Sequence, residues 1–227
     1  MLIPRYYFTD DYVDLYEYFL TKPHTKRVIS KSEYLWKPGD LIQHVYYIES
    51  GICMTSVQHE DGHQKILYFH SKGCITPGFH YTTFKIEQSI TTKAISDMHV
   101  LEFSRDDMYS MFQQNAKLSA LAFETYAKLI NVLIYETAHQ EYNNSFLKLC
   151  NLLYLFTQNS PSGQSRRIDL SQENIADILT LNRVNVAKCL SRLRDEGIIV
   201  SHRKWIEVKN LDKLELYCSQ ETLNSDE

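Results

Sequence analysis

The chain has 227 residues, 44% of them hydrophobic, and a formal charge of −4. That is length for two small domains and enough apolar material to bury a core in each. Five cysteines, at 53, 74, 150, 189 and 218, form no C-x-x-C pair; they exclude a disulfide framework and fit a reducing compartment. No charged and apolar leader opens the chain, and no run reaches the ~18 uncharged apolar residues of a membrane span. A cytoplasmic protein without a membrane partner is expected.

Residues 1–22 are rich in Tyr and Phe and read as a short N-terminal helix or cap. From 25 to 103 the texture changes to short strands. Turn signals recur near ten-residue spacing: Gly39-Asp40 after a proline, Ser50-Gly51, Asp61-Gly62, Lys72-Gly73 and Pro77-Gly78. Such spacing predicts a sandwich or barrel-like roll. The clearest strand runs are 45–48, 66–69 and 99–103.

A long helical pattern follows. Fifteen of residues 116–138 are apolar, counting Ala and Tyr, and none is Gly or Pro. Leu118, Ala122, Thr125, Leu129 and Val132 make one stripe; Phe123, Tyr126, Ile130, Leu133 and Ile134 make a second. A surface helix needs only one apolar face. Two faces imply two partners: the chain's own roll, and the same helix of a second subunit in a C2 homodimer. Residues 146–156 read as a very apolar helix, 161–165 as a loop, and the polar tail after Cys218 as a fraying end.

The stretch 170–200 carries most of the chemistry. It predicts two short helices joined by a tight turn. Ser171 stands as an N-cap with Glu173 in the first turn, and Ile175, Ile178 and Leu179 recur at helical spacing. Asn182 caps the second helix, whose Val186, Leu190 and Leu193 share one face. Asn185, Lys188 and Arg192 fall on the other face, with Arg183 and Val184 near the first turn. A helix packed by one face and offering Arg, Asn and Lys on the other suits base-edge and phosphate readout. Gly197 suits a helix-ending C′ position. Residues 198–200 and 205–208 then read as strands around His202, Arg203 and Lys204, a basic wing.

Charge supports this placement. Residues 164–209 hold nine Lys/Arg against six Asp/Glu, a balance of +3, which leaves fifteen against twenty-two, or −7, for the remainder. Basic charge gathered on one small segment suits a phosphate backbone.

These motifs in this order resemble the cyclic-AMP receptor / fumarate-nitrate regulator (Crp/Fnr) superfamily of bacterial transcription factors. The helix-turn-helix, the run from Arg192 to Ile199, the basic hairpin and the segment 210–217 match its winged helix. Lys37, Pro38, Gly39 and Asp40, then Val45, Tyr46, Tyr47 and Ile48, Ser50-Gly51 and Asp61-Gly62 follow its β-roll pattern. The resemblance implies an α+β protein with an N-terminal antiparallel β-roll of cyclic-nucleotide-binding type in residues 1–113. A dimerisation helix in 114–142 and a winged helix-turn-helix in 143–227 would follow. It implies a homodimer on an inverted-repeat operator in double-stranded DNA, with RNA polymerase as a further partner and no enzymatic activity.

Within that reading Arg183, Val184 and Asn185 come first at the base edges, then Lys188, while Arg192, Arg203 and Lys204 suit phosphates. Val184 occupies a place where many family members carry a glutamate, so the common family operator is not expected. The family usually has glycine where Thr180 stands; either the turn differs or strain is tolerated there.

Relatives that bind cyclic nucleotides hold them with a Gly-Glu and an Arg-Ser pair. Here the first place reads Ile75, Thr76, Pro77, Gly78, Phe79, and the second reads Gln88-Ser89. No arginine lies between Lys31 and Arg105. A guanidinium fork is the natural partner of a cyclic phosphate, so another small effector is expected. His80, Tyr81, Phe84, Lys85 and Gln88, faced by Tyr126 and Lys128, suit a small organic molecule such as an aromatic anion; the same residues equally suit a roll packed without ligand. A haem- or redox-responsive member of the family stays open, since seven of nine histidines lie between 24 and 99. An iron–sulfur cluster fits poorly, with only Cys53 and Cys74 in that half. A cupin-like metalloenzyme is the alternative from another class, but His59, Glu60 and His63 sit in a turn context, and no cofactor, metal or catalytic set is expected.

Overall fold

The computed structural model describes residues 5–37, 39–77, 89–158 and 166–223. The architecture is α+β. Tyr7–Phe8 form strand β1, and a single 3-10 turn, Val13–Leu15, leads into helix α1, Tyr16–Leu20. The strands that follow are β2 (Thr25–Ile29), β3 (Tyr34–Trp36), β4 (His44–Ser50), β5 (Cys53–Gln58), β6 (Gln64–His70), β7 (Ile75–Thr76), β8 (Ile90–Ala94) and β9 (Met98–Ser104). Helices α2 (Arg105–Gln114), α3 (Ala116–Tyr142) and α4 (Ser145–Thr157) come next. The chain ends with β10 (Arg167–Ile168), α5 (Gln172–Leu179), α6 (Arg183–Asp195), β11 (Ile199–Ser201), β12 (Ile206–Val208) and α7 (Leu211–Glu215). Two compact units result, one of Tyr7–Ala127, the other of Arg5 and Tyr6 with the chain from Lys128 onward.

The first unit is the roll. One sheet has the order β1-β6-β5-β8-β3 and the other β2-β9-β4-β7. All pairings in it are antiparallel except β1 with β6, so the N-terminal segment supplies an edge strand as well as the expected helix. The glycine turns behave as their chemistry requires: Gly51 and Gly62 both have positive φ. At Gly51 a Cβ would also run into the Asp97 carbonyl and Met98, so only glycine fits. Phe19, Tyr47 and Phe103 meet with ring centroids 4.9 and 5.8 Å apart, in a core closed by Leu101, Met108 and Leu118. The buried hydroxyls of Thr55 and Thr92 satisfy each other, their Oγ1 atoms 2.7 Å apart.

Helix α3 explains its own double stripe. Leu118, Ala122 and Thr125 are buried in the roll unit, and Val132 and Tyr135 in the second unit. Phe123, Ile130, Leu133 and Ile134 are 79, 54, 55 and 63% exposed. By length and composition α3 is the one helix among the described residues able to cross a membrane. Yet Glu124, Lys128 and Glu136 lie along it, and its other stripe is packed inside protein.

The second unit is built on α4. Asn144 caps it, accepting from Phe146 N and Leu147 N at 3.1 and 3.0 Å, and most of its residues from Leu149 to Thr157 are buried. Beside it stand α5, α6, α7 and a small sheet in the order β10-β12-β11. The strand β10 was not expected from sequence; two residues carry no periodicity. The tail also departs from expectation. Ser219 N donates to Asn151 Oδ1 at 2.9 Å, Asn151 Nδ2 donates to Ser219 Oγ at 3.0 Å, and Thr222 is fully buried beside Tyr135. The buried amide of Asn151 needs partners, and the tail supplies them.

His139 sits in this polar seam with its ring 3.8 Å from that of Tyr135. Burial holds its imidazole below the usual histidine range. The unfolded chain therefore binds the proton first, and stability falls as pH drops through the ordinary histidine value. The thermal midpoint should fall between pH 7.5 and 5.5, and His139→Asn should flatten that slope, read by calorimetry.

Candidate nucleic-acid interface

The helix pair is set by caps and one stripe of side chains. Ser171 Oγ accepts from Asn174 N, and Asn174 Oδ1 accepts from Ser171 N, both at 3.1 Å, closing a reciprocal capping box on α5. Asn182 Oδ1 accepts from Asn185 N at 2.8 Å and starts α6. Val186, Leu190 and Leu193 are fully buried, as are Ile175 and Ile178 of α5. Gly197, at φ +69, lets the chain turn back after α6.

Between the helices Thr180 adopts φ 54 and ψ 45, the left-handed region. The turn keeps the geometry a glycine would give, and the β-branched residue carries the strain.

Burying Val186, Leu190 and Leu193 turns the opposite face outward. Val184, Ala187 and Lys188 are exposed there and Ser191 is half-exposed, at positions i, i+3, i+4 and i+7. Ala187 and Ser191 were missed in the sequence reading. Their only signal was this spacing from Val184, since small side chains advertise no chemistry. Asn185 is half-exposed on the flank of that face.

The cations divide into three kinds. Arg183, at the mouth of α6, pairs with Glu173 of α5, both exposed. Such a surface pair is cheap to exchange. Arg192 is exposed but leans on its own unit: its guanidinium lies 4.0 Å over the Phe146 ring and 5.1 Å from Tyr217. Its Nε donates to Glu196 Oε1 at 3.1 Å, and Tyr217 Oη donates to Glu196 Oε2 at 2.8 Å. Those two donors, the tyrosine first, hold the Glu196 carboxyl below the usual range. Lys188, Arg203 and Lys204 are exposed and enter no ion pair among the described residues.

The wing is stiffened by stacking. His202 N donates to Trp205 O at 2.8 Å, and the two rings stack 3.7 Å apart. Arg167 of β10 lies 4.7 Å over the other part of the system, the Trp205 ring, and Arg194 donates to Ser201 Oγ at 2.9 Å. Arg203 and Lys204 stand at the tip of this braced hairpin.

The expected effector residues His80, Tyr81, Phe84, Lys85 and Gln88 lie outside the described residues. Tyr126 is half-buried and electrostatically coupled to Tyr12 and Tyr68 of the roll. Lys128 is half-buried at the start of the second unit. Burial pushes the Cys53 thiol and the Tyr68 phenol up to about 12, so both are neutral. His59 N donates to His63 O at 2.8 Å in a turn at Gly62. Among the described residues no three His, Cys, Asp or Glu side chains gather as a metal ion would require.

Comparison with known proteins gives consistent matches. A Crp-like helix-turn-helix domain model matches residues 147–217, and a cyclic nucleotide-binding domain model matches 26–115. The fumarate and nitrate reduction regulatory protein of Salmonella typhimurium is 25% identical over 197 residues, covering 83% of this chain and 76% of the relative. The anaerobic regulatory protein of Haemophilus influenzae is 24% identical over 195 residues, with 83 and 74% covered. Among solved structures, CprK complexed with OCPA aligns with a TM-score of 0.71 at 21% identity, covering 95% of this chain and 97% of that one. FixK2 from Bradyrhizobium japonicum aligns at 0.72 and 18%, covering 87 and 98%.

Left-handed backbone at a residue other than glycine costs on the order of 1–2 kcal/mol, and the exposed Thr180 side chain buries little in return. Thr180→Gly should raise stability by about 1 kcal/mol, a gain of a few degrees in thermal midpoint. A lowered midpoint in calorimetry would contradict the strain argument.

Proposed function

The chain is a DNA-binding transcription regulator of the Crp/Fnr family, and from that premise we propose that it reads an inverted-repeat operator as a homodimer. The observation that carries this is α6 itself, buried by its apolar face, capped at its start and offering Arg183, Val184, Asn185 and Lys188 at its first turns. In a two-helix reader those turns enter the major groove. Arg183 then exchanges Glu173 for guanine O6 and N7, Asn185 faces adenine, and Val184 meets a thymine methyl. Arg203 and Lys204 contact phosphates from the wing. Arg192 braces α6 against Phe146 of α4 and Tyr217, and its exposed guanidinium suits a further phosphate contact.

The second copy covers the exposed stripe of α3. Phe123 and Ile130 are seven residues apart, as are Ala127 and Ile134, the repeat of a two-stranded seam. Phe123, Ile130 and Ile134 each contribute roughly 1.5–3 kcal/mol when fully buried. The two-fold axis of that seam matches a palindromic operator. The effector in this reading is a small organic molecule rather than a cyclic nucleotide, because no arginine lies between Lys31 and Arg105 to hold a cyclic phosphate. RNA polymerase is the partner once the operator is occupied, and the setting is the cytoplasm.

Arg183→Ala should relax discrimination at one base position and cost ~1–3 kcal/mol of operator binding. Lys204→Ala should weaken all sequences alike and flatten the salt dependence by about one charge. Fluorescence anisotropy on matched and mismatched duplexes separates the two, and an Arg183→Ala variant with unaltered preference contradicts the docking. By sedimentation the 26.7 kDa chain should run at twice its mass. Ile130→Glu with Ile134→Glu should yield a folded monomer that binds the palindrome at least roughly a hundredfold more weakly; a monomeric parent chain at micromolar concentration contradicts the seam.

A further inference from the structure

Tyr6 lies far from α6 in sequence, yet its side chain is only 2% exposed and belongs to the same unit. Its ring stacks on Phe156 of α4, with centroids 6.1 Å apart and planes 14° from parallel. Its hydroxyl donates to Glu136 Oε1. The other carboxylate oxygen accepts from Gln140 Nε2 at 3.1 Å, one turn further along α3.

Gln140 has both ends of its amide committed. Its Oε1 accepts from Lys148 Nζ at 3.0 Å, which leaves Nε2 as the donor end. The two hydrogens of Nε2 go to Glu136 and, at 3.2 Å, to the carbonyl oxygen of Leu179. That carbonyl belongs to the last residue of α5, immediately before Thr180. The final carbonyls of a helix have no partner within it. Here one of them is fixed by a side chain from α3, at the point where the chain swings from α5 to α6.

We propose that Tyr6 is a positioning residue for operator reading, acting through Glu136 and Gln140 on the Leu179 carbonyl. The relay holds the left-handed turn, and with it the angle at which α6 faces DNA. This rests on the reading of α6 as the DNA-reading helix. The Tyr6 hydroxyl is kept protonated by burial first and by Glu136 second, so it remains a donor throughout the physiological range. Residue 7 begins β1, so the relay starts at the last residue before the roll, and a displaced N-terminal segment would release it.

The test uses the full-length protein and a duplex selected for wild-type binding, with a scrambled duplex as the non-specific probe. Tyr6→Phe keeps the ring on Phe156 and removes only the donor. Operator affinity should fall roughly tenfold, the scale of one buried hydrogen bond. Affinity for the scrambled duplex and the salt slope should stay within about twofold of wild type. Gln140→Met, at a half-exposed position, should give the same loss, and the double variant should be no worse than either single one. A purely structural role would change the active fraction and lower both affinities in proportion, leaving their ratio unmoved; that result overturns the proposal, as does additivity in the double variant. A wild-type chain that prefers no duplex overturns the regulatory reading and this inference with it, whereas a preferring wild type with an unaltered ratio in Tyr6→Phe overturns this inference alone.

Discussion

The burial of one stripe of α6 constrains everything on its other side. Val186, Leu190 and Leu193 are completely removed from solvent, and a helix with 3.6 residues per turn has no freedom left once that stripe is seated. Rotating α6 by one residue would swing Val186, Leu190 and Leu193 off the core and carry Arg194 or Arg192 toward it, an exchange costing several kcal/mol. The platform for this seat is α4, buried from Leu149 to Leu155 on nearly every side. A helix apolar all round cannot rest on a surface, so it becomes the axis on which the helix pair and the small sheet are assembled.

Around that seat, the cations are sorted by how they are held. Arg192, over Phe146 and Tyr217 and bonded to Glu196, works for the fold. Arg167 braces Trp205 and pairs with Asp169 at 2.7 Å. Lys188, Arg203 and Lys204 remain exposed on α6 and the wing. Formal charge alone ranks all of these equally. Their geometry separates residues engaged with the protein's own rings and carboxylates from exposed residues without an ion pair among the described residues, and Arg183, tethered to Glu173, stands between the two groups.

Much of this was legible in the chain. The caps at Ser171 and Asn182, the buried faces of α5 and α6, the glycine turns of the roll and the twin stripes of α3 all follow from local chemistry or from a single period. The family resemblance ordered them into a roll, a long helix and a winged reader. What escaped depends on contacts across sequence. The turn at Thr180 is one case: a threonine gives no local signal for left-handed backbone, and the geometry comes from the seated helices on either side. The docked tail is another, because Ser219 and Thr222 look like fraying residues until Asn151 is placed beside them. The contact of Arg192 with Phe146, forty-six positions earlier, is a further case, since helical angle gives no sign of it. Tyr6 carries no motif at all.

Selection of duplexes from a random pool by the purified protein addresses the central claim most directly. The account predicts a palindrome whose half-sites are centred about one helical turn apart, roughly 34–36 Å. Substitutions at Val184 and Lys188 should shift the recovered bases symmetrically in both halves. Recovery of asymmetric or random sequences at moderate salt, with candidate effectors supplied, would contradict it.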